Sequence, residues 1–297
     1  MSILTAVGLT KHYGRKCGLH NLDLQVEDGE IFGLVGPKGA GKTTFINLMM
    51  DFIAPTKGIV TLFDMDCQNE SREIKKYLGY VPAEGSFYPS MRVYRLLKYA
   101  ANFYDDVNES YIDNLCGQFR VDVHKRVCDL SYGGLKRLAI VKALMHKPKM
   151  IILDEPTLGL DPIMREQLLE ALRYEQATGA TVFFAASQLY AMNEICTAVG
   201  VLQDGQLTDQ KSIGKPAEHR EKIVKIRVDG DITELIMSLG AKEYMKKDGV
   251  VSFLYNSDLN RLLKGLSKFD VEDIYVEDIP LERTLNYYLH EEEEVLA

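Results

Sequence analysis

Apolar and polar residues alternate along Ile3 to Leu9 (ILTAVGL) and Asn21 to Val26 (NLDLQV), the period expected of strands with one covered face. At Glu30 to Gly36 (EIFGLVG) the pattern changes to a nearly unbroken apolar run that stops at a glycine cluster. Such a run fits a central parallel strand buried on both faces. Beyond the cluster, TTFINLMMDFI sets Phe45, Leu48, Met49 and Phe52 at spacings of three and four, a helical repeat. The local order is therefore strand, glycine-rich loop, helix.

From about Tyr88 to Pro148 the pattern is mostly helical, as in YRLLKYAANFY and LKRLAIVKALMH. MIILDE (Met150 to Glu155) and TVFFAA (Thr181 to Ala186) are two further candidates for buried strands, with a helical stretch around Arg165 to Gln176 between them. This alternation predicts an α/β domain on a mainly parallel sheet, with a helical insertion before MIILDE. VGVLQDGQL reads as a hairpin turning at Asp204-Gly205. Past Pro216 the pattern shifts: KIVKIRV, ITELIMSLG, GVVSFLY, LNRLLKGLS and VEDIYVED read as strand, helix, strand, helix, strand. Two domains are expected, residues 1–216 with a helical subdomain at about 88–148, and a small α+β domain at 217–297.

Composition adds limits. A chain of 297 residues, 46% hydrophobic and 26% charged, can bury a sizeable core. No apolar run reaches the roughly 18 residues of a membrane span, and MSILTAVGLTKHYG lacks the blocks of a signal peptide. Export by that route is not expected. The net charge of −8 argues against a nucleic-acid binder led by a basic surface. Residues 217–297 hold 18 acidic and 11 basic side chains, against 25 and 24 in the first 216, so the acidity belongs to the C-terminal part. Its Glu291 to Glu294 run reads as a solvated tail. Five scattered cysteines without a C-x-x-C pair suit reduced thiols.

The glycine cluster GPKGAGKTT spans Gly36, Pro37, Lys38, Gly39, Ala40, Gly41, Lys42, Thr43 and Thr44, and satisfies G-x-x-x-x-G-K-T between a predicted strand and a predicted helix. Glycines let successive backbone N–H groups turn toward phosphate oxygens, and the helix N-terminus adds partial positive charge. Lys42 would reach the β- and γ-phosphates, and Thr43 would offer its hydroxyl to Mg²⁺. MIILDE ends a buried strand on two adjacent carboxylates, whose burial without partners costs several kcal/mol each. They call for a cation: Asp154 would hold Mg²⁺, and Glu155 would orient the attacking water. Capping of the following turn is the plainer reading of Glu155.

LSYGGLKRLAIVKAL (Leu130 to Leu144) stands 20 residues ahead of MIILDEPTLGLDP. With the phosphate loop, these segments resemble the signature motif, second nucleotide motif and D-loop of the ATP-binding subunits of ABC transporters, over residues 3 to 216. The resemblance implies a P-loop NTPase of the ABC ATPase type, α/β, with a mainly parallel core sheet, an antiparallel β subdomain and a helical insertion, here followed by the small C-terminal α+β domain. It implies ATP and Mg²⁺ as cofactors, and two ATP molecules sandwiched between two subunits. Ser131 and Gly133 would then contact the γ-phosphate held by the opposite subunit, Tyr13 would stack on adenine, and Asp161 would sit at the dimer seam. For Tyr13, packing remains the alternative. The implied partners are an integral membrane permease and a second ATP-binding subunit, identical or different. The implied location is cytoplasmic, peripheral on the inner face of the cell membrane. The last 80 or so residues resemble domains appended in drug, antibiotic or peptide-export systems, with regulatory, dimerising and stabilising roles all open.

Three departures qualify the resemblance. Ser187 stands where the family has a histidine that reaches the γ-phosphate. Serine is shorter and uncharged, needs an intervening water to touch the same oxygen, and removal of one positioned donor costs on the order of 100- to 1,000-fold in rate. Gln188, next along, points to the opposite face if the strand continues. In GYVPAEGSFYP the glutamine that senses Mg²⁺ is replaced by Ala83, and Glu84 either takes over by a one-residue shift or is an ordinary surface glutamate. Tyr132 replaces the first glycine of LSGGQ, which Gly133 makes tolerable, and Lys38 stands where asparagine is frequent. The catalytic set is thus Glu155, Lys42 and Ser187, with Thr43, Asp154 and Glu84 toward the metal.

Two functions are expected from this set. One is an ATPase that drives a separate exporter, and the other a nucleotide-gated subunit with weak hydrolysis beside an intact partner. Relatives that act on ribosomes join two such domains, and those that act on chromosomes carry long coiled coils. This sequence shows neither, and no nucleic-acid partner is expected.

Overall fold

In the computed structural model, residues 2–85, 87–105, 107–187, 195–212, 222–229, 232–247, 249–255, 257 and 259–278 are described. Gln188 and the Glu291 to Glu294 run lie outside them. The chain divides into two compact units, Met1–Ile213 and Gly214–Ala297.

The first unit opens on β1 (Ser2–Tyr13) and β2 (Lys16–Glu27), followed by β3 (Ile31–Val35) and helix α1 (Lys42–Met49). Next come β4 (Lys57–Leu62), β5 (Met65–Asp66), the short α2 (Ser71–Ile74) and β6 (Leu78–Val81). Three helices, α3 (Val93–Ala101), α4 (Glu109–Gln118) and α5 (Tyr132–Leu144), form the insertion before β7 (Met150–Asp154). Helix α6 (Pro162–Ala177), β8 (Thr181–Ala186), β9 (Ala198–Gln203) and β10 (Gln206–Ser212) complete it.

Every residue of β3, β7 and β8 is buried, which is why these strands read as unbroken apolar runs. They lie inside a six-stranded sheet of order β10-β9-β3-β8-β7-β6. All its pairs are parallel except the β9–β10 hairpin, which turns at Asp204 and Gly205, both at positive φ. Phe183 of β8 stacks on Phe32 at 5.7 Å and meets Phe45 of α1 at 5.6 Å, so α1 is seated on the sheet by aromatic contact. A second, antiparallel sheet of order β2-β1-β4-β5 covers the N-terminal side of the sequence.

Helix α1 ends three residues before its apolar repeat does. Asp51 takes a left-handed conformation (φ 53°), and the Phe52 N–H bonds back to the Asn47 carbonyl at 2.8 Å, closing the helix. Phe52 is consequently 53% exposed, although its spacing placed it on the buried face.

In the second unit, β11 (Lys222–Asp229), β12 (Lys242–Lys247), β13 (Val250–Tyr255) and β14 (Asp270–Asp278) form an antiparallel sheet of order β12-β13-β11-β14. Helices Thr233–Ser238 and Leu259–Leu266 supply Ile236, Leu262 and Leu266 to its core. The order β-α-β-β-α-β is the split βαβ arrangement. The sequence pattern implied one strand fewer. Strand β12, KEYMKK, is an edge strand whose charged residues carry no apolar signal.

All five cysteines are free, and burial pushes the Cys67 and Cys196 thiols up to about 12, which leaves them unreactive. Among the described residues, no helix is long and apolar enough to cross a membrane.

Candidate functional site

The sheet order brings the C-terminal ends of β3, β7 and β8 side by side, and the site is built on those ends. After β3 the chain must turn tightly into α1. A side chain at Gly36 would sit 2.1 Å from the Leu202 carbonyl oxygen, and one at Gly41 (φ 113°) 2.6 Å from that of Gly18. Only glycine fits at either position. Gly41 is the N-cap of α1, so the helix N-terminus opens directly onto the loop.

Lys42, 5% exposed, extends its Nζ to the carbonyl oxygens of Gly36 (2.7 Å) and Pro37 (3.1 Å) and to Ser187 Oγ (3.2 Å). Ala40 is buried and ties the loop to the β9–β10 turn, its carbonyl accepting from Gly205 N–H. Pro37 and Lys38 are exposed on its outer side.

In parallel register, β7 ends on Asp154 beside Ala185 of β8. Asp154 is 1% exposed; its Oδ2 accepts from Thr43 Oγ1 at 2.7 Å, and its Oδ1 is buried with no hydrogen-bond partner among the described residues. Burial pushes its carboxyl above the ordinary value, with Thr43, Lys136 and Lys42 pulling the other way. An unpartnered buried carboxylate oxygen beside a hydroxyl is the donor set of a magnesium site, so the residues fit the ion. Thr43 and Asp154 would hold it, with phosphate and water as its other ligands, and it would neutralise charge developing on the phosphates. Glu84 lines the same cleft at an exposed position, and among the described residues no bond joins it to Thr43 or Asp154.

Glu155 adopts φ 44°, a left-handed conformation that costs a non-glycine residue roughly 1–2 kcal/mol. Its N–H bonds to the Ala185 carbonyl at 2.9 Å, which holds the strained turn against β8. That turn aims the carboxylate at Ser187, whose Oγ donates to Glu155 Oε1, while Lys42 Nζ stands 3.6 Å from the same oxygen. Ser187, Glu155 and Lys42 thus form one bonded cluster, and the Glu155 side chain does not cap a turn.

These groups face a cleft of about 710 Å³, lined also by Gly39, Thr44, Ala83 and Tyr13. Tyr13 is 46% exposed at the rim, its ring lying on Gly18, where a side chain would approach to 2.9 Å. That exposure excludes packing in the core, and the contacts with Gly18 and Lys11 are surface packing, the other half of that alternative. Ser131, Gly133 and Asp161 are not part of the cleft lining. Ser131 is the N-cap of α5, its Oγ accepting from Gly134 N–H at 3.2 Å, and Asp161 is the N-cap of α6, accepting from Met164 N–H at 2.9 Å.

Two residues with no role assigned from sequence belong to the site. Tyr132 lines the cleft, and Lys136 is 4% exposed, with burial lowering its ammonium to about 8. The signal for Lys136 was available: it falls in helical register with buried Ala139, Ile140 and Ala143, a lysine on an inward face.

A strand, a glycine loop at a helix N-terminus, a buried lysine and an aspartate bonded to the loop threonine define a P-loop nucleoside triphosphatase. Comparison with known proteins narrows the class. The ABC transporter family model matches residues 19–158. The Nod factor export ATP-binding protein I of Rhizobium etli is 30% identical over 268 residues, covering 87% of this chain and 84% of that one. The bacitracin transport ATP-binding protein BcrA of Bacillus licheniformis is 31% identical over 227 residues, 74% and 72% of the two chains. Among solved structures, an ATP-binding subunit of an ABC transporter superposes with TM-score 0.67 at 24% identity, over 71% of this chain and 90% of its own. A dimeric ATP-binding cassette bound to ADP and Pi superposes with TM-score 0.66 at 21% identity, over 71% of this chain and 99% of its own. The chain belongs to the ABC transporter family as an ATP-binding protein, and it is an ABC-type ATPase.

Proposed function

We propose that this ATPase drives a separate membrane permease, that two such subunits close around two Mg-ATP, and that the transport is export. One observation carries the dimer. Lys42, Thr43 and Glu155 line one cleft, whereas Ser131 and Gly133 are outside its lining at the N-terminus of α5, with Ser131 an exposed residue. Of that turn only Tyr132 lines the cleft, which leaves Ser131 and Gly133 free to meet another chain's nucleotide. The name of the Nod factor relative supports export and that of the bacitracin relative supports transport, so the partner is an integral membrane permease, with this subunit peripheral on the cytoplasmic face of the cell membrane.

The geometry supports the following division of work. Backbone N–H groups of the 36–44 loop receive the phosphates, and the Lys42 ammonium exchanges its loop carbonyls for β- and γ-phosphate oxygens. The Glu155 carboxylate, held by Ser187, aligns a water and takes its proton as the water oxygen bonds to the γ-phosphorus and the bond to ADP breaks. In this reading Ser187 acts through Glu155 rather than on phosphate, which favours an active half-site over the weakly hydrolysing alternative. Tyr13 offers an exposed ring to adenine, Asp161 belongs to the dimer seam, and Glu84 to the metal side of the cleft. Residues 1–216 are assigned as the ATP-binding domain, with its helical part at about 88–148, and 217–297 as an appended domain.

The test is a Glu155→Gln chain in Mg-ATP, followed by light scattering and by pull-down from native membranes. The expected result is a stable dimer without turnover that carries a polytopic membrane protein with it. A Glu155→Gln chain that hydrolyses ATP at the wild-type rate, or that stays monomeric in Mg-ATP, would overturn the proposal.

A further inference from the structure

The first two turns of α5 hold the loop after β6 by contacts that the phosphate site does not require. Lys136 Nζ donates to the carbonyl oxygens of Pro82 (2.9 Å) and Ala83 (3.0 Å), and lies 3.5 Å from that of Asp154. One turn earlier on the same face, Tyr132 Oη donates to the Ala83 carbonyl at 3.4 Å. Residues four apart on a helix are neighbours, so the two donors meet one acceptor. The Tyr132 ring in turn rests on Gly159 in the turn after Glu155, where a side chain would come within 2.3 Å of it.

We propose that Lys136 and Tyr132 are positioning residues for ATP hydrolysis, clamping the Ala83 carbonyl so that the 82–85 loop and the Asp154–Glu155 strand end move as one piece with α5. Three features of the site carry this. Lys136 is an ammonium buried at 4% exposure whose partners are backbone carbonyls, and an ammonium is kept out of water only where its donors are satisfied. Those carbonyls belong to two different elements that flank the catalytic carboxylates. Position 83 itself is alanine, which has no side chain able to bond across the cleft, so the loop is held there through the backbone, whose carbonyl accepts from both Tyr132 and Lys136. The clamp therefore fixes by main-chain bonding a segment that lines the nucleotide cleft.

The inference rests on ATPase activity alone and is independent of the transport reading. It is tested in the full-length chain with Lys136→Met, which keeps the length and apolar stem but removes the donors, and with Lys136→Gln, which keeps a neutral donor. Tyr132→Phe removes only the hydroxyl. Measured for each are affinity for a fluorescent ATP analogue, kcat and KM for phosphate release, and hydrogen exchange of peptides covering 80–85.

Lys136→Met is expected to lower kcat roughly 30-fold with ATP affinity within about threefold. Exchange in 80–85 should rise while that in β3 is unchanged. Lys136→Gln should recover most of kcat, and Tyr132→Phe should lose about two- to fivefold. Wild-type kcat in Lys136→Met would overturn the proposal, as would equal loss of kcat and affinity. Should Lys136→Met not fold, Tyr132→Phe decides: faster 80–85 exchange with reduced kcat supports the clamp, and wild-type exchange with wild-type kcat rejects it.

Discussion

Ser187→Ala isolates what the serine hydroxyl does in the cluster with Lys42 and Glu155. The hydroxyl makes two contacts, accepting from Lys42 Nζ at 3.2 Å and donating to Glu155 Oε1. Removing it leaves Lys42 and Glu155 at 3.6 Å with no group to fix the carboxylate's rotation. Hydrogen bonds to charged groups contribute about 1.5–3 kcal/mol. Glu155 is 23% exposed, so water replaces part of the lost bond and the lower half of that range applies. About 1.5–2 kcal/mol of transition-state stabilisation corresponds to roughly a 10- to 30-fold fall in kcat. ATP affinity should change by less than about threefold, because Lys42 keeps its two loop carbonyls as alternatives to phosphate. Steady-state phosphate release and equilibrium binding of a fluorescent nucleotide separate the two quantities. Ser187→Thr, which keeps the hydroxyl, should recover most of the rate. Wild-type turnover in Ser187→Ala would refute the claim that serine acts by holding Glu155, and so would a loss of affinity as large as the loss of rate.

Two further predictions concern stability. Tyr111→Phe removes the 2.6 Å bond from its hydroxyl to Glu175 Oε1 and leaves a 5%-exposed carboxylate without that donor, so the first unit should lose about 1–3 kcal/mol in urea unfolding. His146 predicts a pH dependence. Its ring stacks on Tyr104 at 3.6 Å, one ring nitrogen faces the Leu78 carbonyl and Nδ1 is buried unpartnered, and burial lowers its pKa from 6.5 to about 4. Between those values the unfolded chain binds the proton and the folded chain does not. Stability is therefore lost as pH falls from about 6.5 toward 4, by about 2 kcal/mol between pH 7 and pH 5. Urea unfolding at the two pH values checks this, and His146→Gln should remove most of the difference.

What the sequence made legible follows from which interactions repeat along the chain. Buried strands β3, β7 and β8 were readable because burial on both faces leaves only apolar residues. The glycine loop was readable because its turn excludes every side chain at Gly36 and Gly41. Strands β4, β5 and β12 were not, since exposure at Lys57, Gly58 and Ile59 and the charges of KEYMKK give no alternation to detect.

The cluster of Lys42, Glu155 and Ser187 shows the same limit at finer scale. Position 187 was legible as a replaced histidine, and from that a water-bridged contact to phosphate was expected. What the residue pattern does not show is the bond from its hydroxyl to Glu155, made because the left-handed backbone at Glu155 turns its carboxylate toward the end of β8. A positive φ at glutamate leaves no mark in the residue pattern. The same holds for Ala83: the sequence shows a missing side chain, whereas the bonding runs through its carbonyl, an acceptor that every residue carries. Substituting a motif residue therefore removes a side-chain contact without removing the position's place in the network. Serine and alanine at 187 and 83 are compatible with an active half-site to the extent that Lys42, Tyr132 and Lys136 supply the donors those positions lack.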